Sequence, residues 1–104
     1  MDLTRVAGFD WDDGNIAKCQ KHGVSIAEVE SVFQHAHRLA PDVVHSTAET
    51  RFLIIGNGGG PRPIFVAFTF RRSHSETRIR PISARYMHRK EIEHHEQAAA
   101  RPDQ

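Results

Sequence analysis

The sequence predicts an α+β fold. It comprises a small antiparallel sheet of three to four main strands, a short N-terminal strand, a two-helix N-terminal hairpin and one C-terminal helix. Three observations predict it. Residues 13–34 hold two short helical patterns separated by a Lys-His-Gly turn, residues 51–85 hold apolar runs of strand length, and residues 88–99 return to a charged helical pattern. Helices followed by consecutive strands with short connections mark an α+β chain rather than an alternating α/β one. A chain of 104 residues has room for one core, so 1–104 reads as a single domain with 101–104 as a frayed tail.

Each element has its own local reason. Phe9 and Trp11 are large apolar residues at period two, which suits a short strand, and Asp10, Asp12 and Asp13 offer helix N-caps. Residues 13–22 form the first helix, with Ile16, Ala17 and Cys19 as its apolar stripe. Lys18, Lys21 and His22 occupy its last turns, where positive charge suits the helix dipole, and Gly23 stops it. Ser25 and Glu28 make a capping box that opens a second helix through about Gln34, with Ile26, Val29 and Phe33 facing inward. Leu39 and Val43-Val44 suggest an irregular or edge strand before Arg51.

Residues 51–55 and 64–70 are apolar on both faces, as central strands are. The stretch 56–63, with four glycines and two prolines, reads as their connecting loop, and 71–76 as a second turn. The next strand carries Arg78, Arg80 and Arg85 among β-branched and small residues. Arg78 and Arg80 fall on one face, about 6–7 Å apart at the usual strand rise. Pro81 has no amide for a ladder and requires an edge position or a bulge. In an unbroken strand Arg80 and Arg85 face opposite ways, so both serve one site only if the chain bulges near Ser83. A last helix runs from about His88 to Ala99, with Met87, Ile92 and the alanines on its apolar side.

The net charge of +1 hides an uneven distribution. Residues 1–50 carry four basic and eight acidic side chains, residues 51–90 nine and one, and residues 91–104 one and four. The middle segment is therefore +8, the electrostatic footprint of a polyanion partner, with Arg71 and Arg78 as RNA-contact candidates on it. No apolar run has the length of a membrane span and no signal-peptide pattern opens the chain. The single cysteine excludes an internal disulfide, and a soluble cytoplasmic protein is expected.

Eight histidines raise the question of a metal, but His35/His37 and His94/His95 lack partners at recognised ligand spacings, so no metal or cofactor is expected. Cys19 reads as a core residue, and the glycine run lacks the Lys-Ser/Thr of a phosphate loop. One chemistry needs only basic residues and a proton carrier. RNA supplies its own nucleophile, the 2′-hydroxyl, and the protein orients the strand, moves protons and stabilises a phosphorane. His22, at a helix end beside Lys21, is the candidate proton carrier, or else a simple helix cap.

Phe9-Asp10-Trp11-Asp12, Lys18, Lys21-His22-Gly23-Val24-Ser25, Val32-Phe33, Arg78-Ile79-Arg80 and Ile82-Ser83-Ala84-Arg85 occur in an order and spacing that resembles the BrnT family, over roughly residues 8–96. These are toxins of bacterial type II toxin–antitoxin pairs. The resemblance implies a RelE-like fold and a metal-independent ribonuclease that halts translation. It also implies a ribbon-helix-helix antitoxin, with operator DNA bound only through that antitoxin. By position, the functional surface falls on Lys21, His22, Arg51, Arg80 and Arg85. The bet is Arg80 and Arg85 for contact with the phosphate or phosphorane, and His22 or Lys21 for strand positioning or proton transfer, with Arg51 also on the RNA-binding surface. Pro81 stands where the family usually has an aliphatic residue, and His88 where a threonine N-cap is common. A non-catalytic nucleic-acid-binding module and a degenerate toxin that keeps only antitoxin binding are the competing readings.

Overall fold

The computed structural model describes residues 6–35, 37–42 and 49–100; Val43 and Val44, assigned above to an edge strand, lie outside them. The elements run α1 (Asp13–Gln20), α2 (Ile26–Gln34), β1 (His37–Pro41), β2 (Phe52–Asn57), β3 (Pro63–Ser73), β4 (Glu76–Tyr86) and α3 (Arg89–Ala100). The strands form one antiparallel sheet in the order β1-β2-β3-β4, as the short connections require.

Capping decides where the first two helices start. The Asp12 carboxylate accepts from the Asn15 amide at 3.1 Å while the Asn15 side chain accepts from the Asp12 amide at 2.7 Å. Ser25 and Glu28 repeat the arrangement at 3.1 Å in both directions. Each box satisfies backbone donors that a helix start otherwise leaves unpaired. Gly23, at φ +86°, turns the chain between the helices in the left-handed region.

One face of the sheet carries Ile54, Ile64, Val66, Phe68, Ile79 and Ala84, which pack with Cys19, Val24, Val29 and Val32 from the helical hairpin. Phe68 is fully buried, with the Phe33, Phe52 and Phe70 rings at 5.0, 5.6 and 5.6 Å. Val32 belongs to this core, although the sequence pattern pointed to Phe33, which is only partly buried. The inward stripe of α1 also differs from expectation. Asn15 and Cys19 are buried and Ala17 is exposed, because the capping side chain of Asn15 turns under the helix. The N-terminal strand reduces to a single parallel bridge, Phe9 to Ile79, flanked by backbone bonds of 2.8–2.9 Å.

The hairpin between β3 and β4 is tighter than the sequence suggests. Pairing continues to Ser73 and Glu76, leaving only His74 and Ser75 to turn, at φ 52° and 68°. Two consecutive positive-φ residues are the geometry of a two-residue hairpin whose twist matches the strands. Arg71 and Arg72 therefore belong to β3 rather than to a loop.

The register of β3 with β4 slips between Ala67 and Phe68: Ser83 faces Ala67 and Pro81 faces Phe68, leaving Ile82 as an extra residue. This bulge accommodates Pro81, which is fully buried on the last strand of the sheet. It also reverses parity. Arg80 faces Thr69 and Arg85 faces Phe65, four residues apart on β3, so both arginines lie on the same side of the sheet, about 13 Å apart along it.

Candidate functional site

The side of the sheet opposite the helical hairpin carries the basic residues, and the bulge divides them into two groups. Beyond it towards the hairpin tip lie Arg78 and Arg80 on β4 and Arg71 on β3, where Arg78 and Arg71 face each other in register. Arg51, Arg71 and Arg80 line a cavity of about 230 Å³ together with Lys18. Arg71 and Arg78 line a neighbouring one of about 540 Å³ with Phe9 and Trp11. On the near side of the bulge, Arg85 lines a cavity of about 290 Å³ with His22, Arg62, Tyr86 and His88. The structure thus brings His22 and Arg85 together and sets Arg80 apart from them. Lys21 is exposed beside His22, at the C-cap of α1.

Carboxylates hold the basic residues in place. Arg80 bridges Asp10 at 3.3 Å and Asp12 at 2.9 Å, tying the N-terminal segment to β4. Its side chain is only 19% exposed, which marks it as a fixture of the fold as much as a surface charge. The Asp12 carboxyl is held below the ordinary range, first by the Asn15 amide and then by Arg80. Arg78 pairs with Glu76 at 3.0 Å and Arg71 with Glu49 at 3.4 Å. Both are solvent-facing pairs, worth about 0–1 kcal/mol, which a phosphate can displace at little cost.

Arg85 is held differently. Its two terminal nitrogens donate to the two Glu91 oxygens at 2.8 Å each, and its guanidinium lies 4.5 Å from the centre of the Phe65 ring. The Glu91 carboxyl falls to about 2, first through Arg85 and then through the His88 amide, which donates to it at 2.8 Å. A bidentate pair stacked on an aromatic face fixes the plane of the guanidinium. Of its five N–H donors, Glu91 takes two and the Tyr86 carbonyl a third at 3.4 Å, which leaves an edge for an anion.

The far wall is built by Tyr86 and Arg62. The Tyr86 hydroxyl donates to Glu28 at 2.6 Å, which raises the phenol and lowers the carboxyl. Arg62 lies over the Tyr86 ring at 4.7 Å and donates to the Met87 carbonyl at 3.1 Å. The second helix and the β2–β3 loop are thereby joined to the end of β4.

Sequence reasoning missed Arg62, Tyr86, Glu91 and the role of Asn15. The signals were slight. His88 and Glu91 stand three apart at a helix start, a spacing that hints at a cap, but Arg62 sits among glycines and prolines with nothing to direct it. The Asn15 amide donates to the Asp10 carbonyl at 2.9 Å and the Pro81 carbonyl at 2.8 Å, which bolts α1 to the bulge. Burial pushes the Cys19 thiol up to about 11, so it is no nucleophile at neutral pH. Among the described residues, no three of His, Cys, Asp and Glu are grouped as metal ligands, and no helix is long and apolar enough to cross a membrane.

The model of one protein family, described as the ribonuclease toxin BrnT of type II toxin–antitoxin systems, matches residues 11–91. No curated protein matches the chain. The matched region takes in α1, α2, the sheet and the first turn of α3, and the chain belongs to that family.

Proposed function

We propose that this BrnT-family chain is a metal-independent endoribonuclease that cleaves RNA by attack of the 2′-hydroxyl on the adjacent phosphorus. The observation that carries this reading is the shared cavity of His22 and Arg85, with Arg62 beside them. Arg85, pre-oriented by Glu91 and Phe65, meets the non-bridging oxygens, and its fixed charge counts for most when the phosphorane dianion forms. His22, exposed at the turn after α1, reaches the reacting oxygens and moves a proton near neutral pH. Lys21, Arg51, Arg71 and Arg78 guide the flanking strand along the basic side of the sheet. Arg80 contributes charge to that track while it holds Asp10 and Asp12. The distance of about 13 Å from Arg80 to Arg85 suits two separate phosphates rather than one.

In the cell this activity would halt translation in the cytoplasm and be neutralised by a cognate ribbon-helix-helix antitoxin, with operator DNA engaged only through that partner. Incubation of the purified protein with RNA in EDTA tests the reading. Wild-type protein is expected to cut the RNA, and Arg85→Ala and His22→Ala to lose at least 100-fold, the usual scale for a positioned proton carrier or charge. Wild-type protein that binds RNA and leaves its length unchanged would instead identify a non-catalytic binding module. Protein that neither binds nor cuts RNA but captures its antitoxin would identify a degenerate toxin.

A further inference from the structure

The cavity that joins His22 to Arg85 holds a second imidazole, and we infer that His22 and His88 work as a pair, His22 as general base and His88 as general acid. The inference rests on the ribonuclease reading above and adds a residue to it. His22 comes from the turn after α1, His88 from the residue before α3, Arg85 and Tyr86 from the end of β4 and Arg62 from the β2–β3 loop, yet all five line one space of about 290 Å³. Three separate stretches of chain that deliver two imidazoles and two guanidiniums to one cavity supply the groups that in-line transesterification requires, a proton acceptor, a proton donor and positive charge for the phosphate.

The surroundings decide which imidazole takes which role. The donor must carry its proton as a cation and is best placed beside a carboxylate. Glu91 supplies one, since it accepts from the His88 backbone amide at 2.8 Å and so lies next to that residue. Both imidazoles share the cavity with Arg62 and Arg85, but Glu91 bonds only the His88 end of it, so the acceptor's part falls to His22. The step then balances. His22 takes the 2′-hydroxyl proton, the 2′ oxygen bonds to phosphorus, the bond from phosphorus to the 5′ oxygen breaks, and His88 delivers its proton to that leaving oxygen. The products are a 2′,3′-cyclic phosphate and a 5′-hydroxyl. The charged and titratable groups around the pair are Arg62, Arg85 and Tyr86 in the cavity lining, Glu28 on the Tyr86 hydroxyl, and Glu91 on Arg85 and the His88 amide.

The test is His88→Thr, which keeps a residue able to cap α3 and removes the imidazole. It is compared with His22→Ala and wild type on two RNAs of one sequence, ordinary RNA and RNA with sulfur in place of the 5′ oxygen at the cleaved bond. A thiolate leaves without a proton, so it replaces the acid. His88→Thr is expected to cut ordinary RNA about 100-fold more slowly than wild type, and sulfur-substituted RNA within a few-fold of wild type. His22→Ala should be slow on both. His88→Thr that cuts ordinary RNA at the wild-type rate, or that is equally slow on both RNAs, overturns the pair while leaving the ribonuclease intact. Wild-type protein that cuts neither RNA overturns the ribonuclease reading and the pair with it.

Discussion

Arg85 and Glu91 meet through two parallel hydrogen bonds of 2.8 Å, and the same carboxylate oxygen that takes one of them accepts the His88 amide. One side chain in the first turn of α3 therefore sets the plane of the Arg85 guanidinium and starts the helix. The Glu91 carboxyl sits at about 2 against an ordinary 4.5. A depressed carboxyl stabilises the fold fully above its unfolded value, and that stability is lost as pH falls from about 4.5 through about 2. The pair is partly solvated, its side chains 41% and 30% exposed, so the contribution is about 1 kcal/mol. The melting temperature of Glu91→Gln should lie several degrees below wild type at pH 7, and the gap should close between pH 4.5 and 2.

Asn15 is buried at 4% exposure and spends its amide on the carbonyls of Asp10 and Pro81. Asn15→Leu leaves both carbonyls and the Asp12 amide without their partner, at a cost of about 2–4 kcal/mol. Chemical denaturation should show that loss with an unchanged slope, while Asn15→Asp should fare little better because a carboxylate cannot donate.

Gly58 carries the β2–β3 loop against the second helix. A Cβ at this position would stand 2.6 Å from the Glu28 carbonyl, which is backbone and cannot swing away. Gly58→Ala should destabilise by about 1–3 kcal/mol through forced displacement of the loop. Arg62 lies in that loop, so RNA cleavage should fall further than the stability loss explains.

Arg71 and Arg78 sit on solvent-facing pairs beyond the bulge. Replacing both with alanine should weaken RNA binding at low salt and reduce the salt dependence by about 1–2 contacts' worth of slope. Cleavage at saturating RNA should change little, because neither residue lines the cavity of His22.

Much of the fold was legible because it is written locally. The capping residues Asp12, Ser25 and Glu28, the stop at Gly23 and the apolar runs of β2 and β3 each act within a few positions. Pro81 requires an edge position or a bulge, and it lies on the last strand of the sheet beside a bulge. What was not legible depends on distant partners. The two-residue turn at His74 and Ser75 is set by strand twist rather than by glycine, so the hairpin reads as a loop. The separation of Arg80 from Arg85 follows from how far each stands from Ile82, which parity alone does not measure. In the sequence His88 reads only as an unusual helix cap, since nothing in its neighbourhood points to His22, 66 positions earlier in the chain.

The most direct measurement replaces the nucleophile itself. An RNA with one 2′-deoxy sugar at the cleaved position is incubated with the protein in EDTA beside its all-ribose counterpart, and the product ends are identified by mass. The account predicts that the ribose RNA yields a 2′,3′-cyclic phosphate and a 5′-hydroxyl, and that the deoxy RNA stays whole. Cleavage of the deoxy RNA at that position, or products that carry a 5′-phosphate, would contradict it.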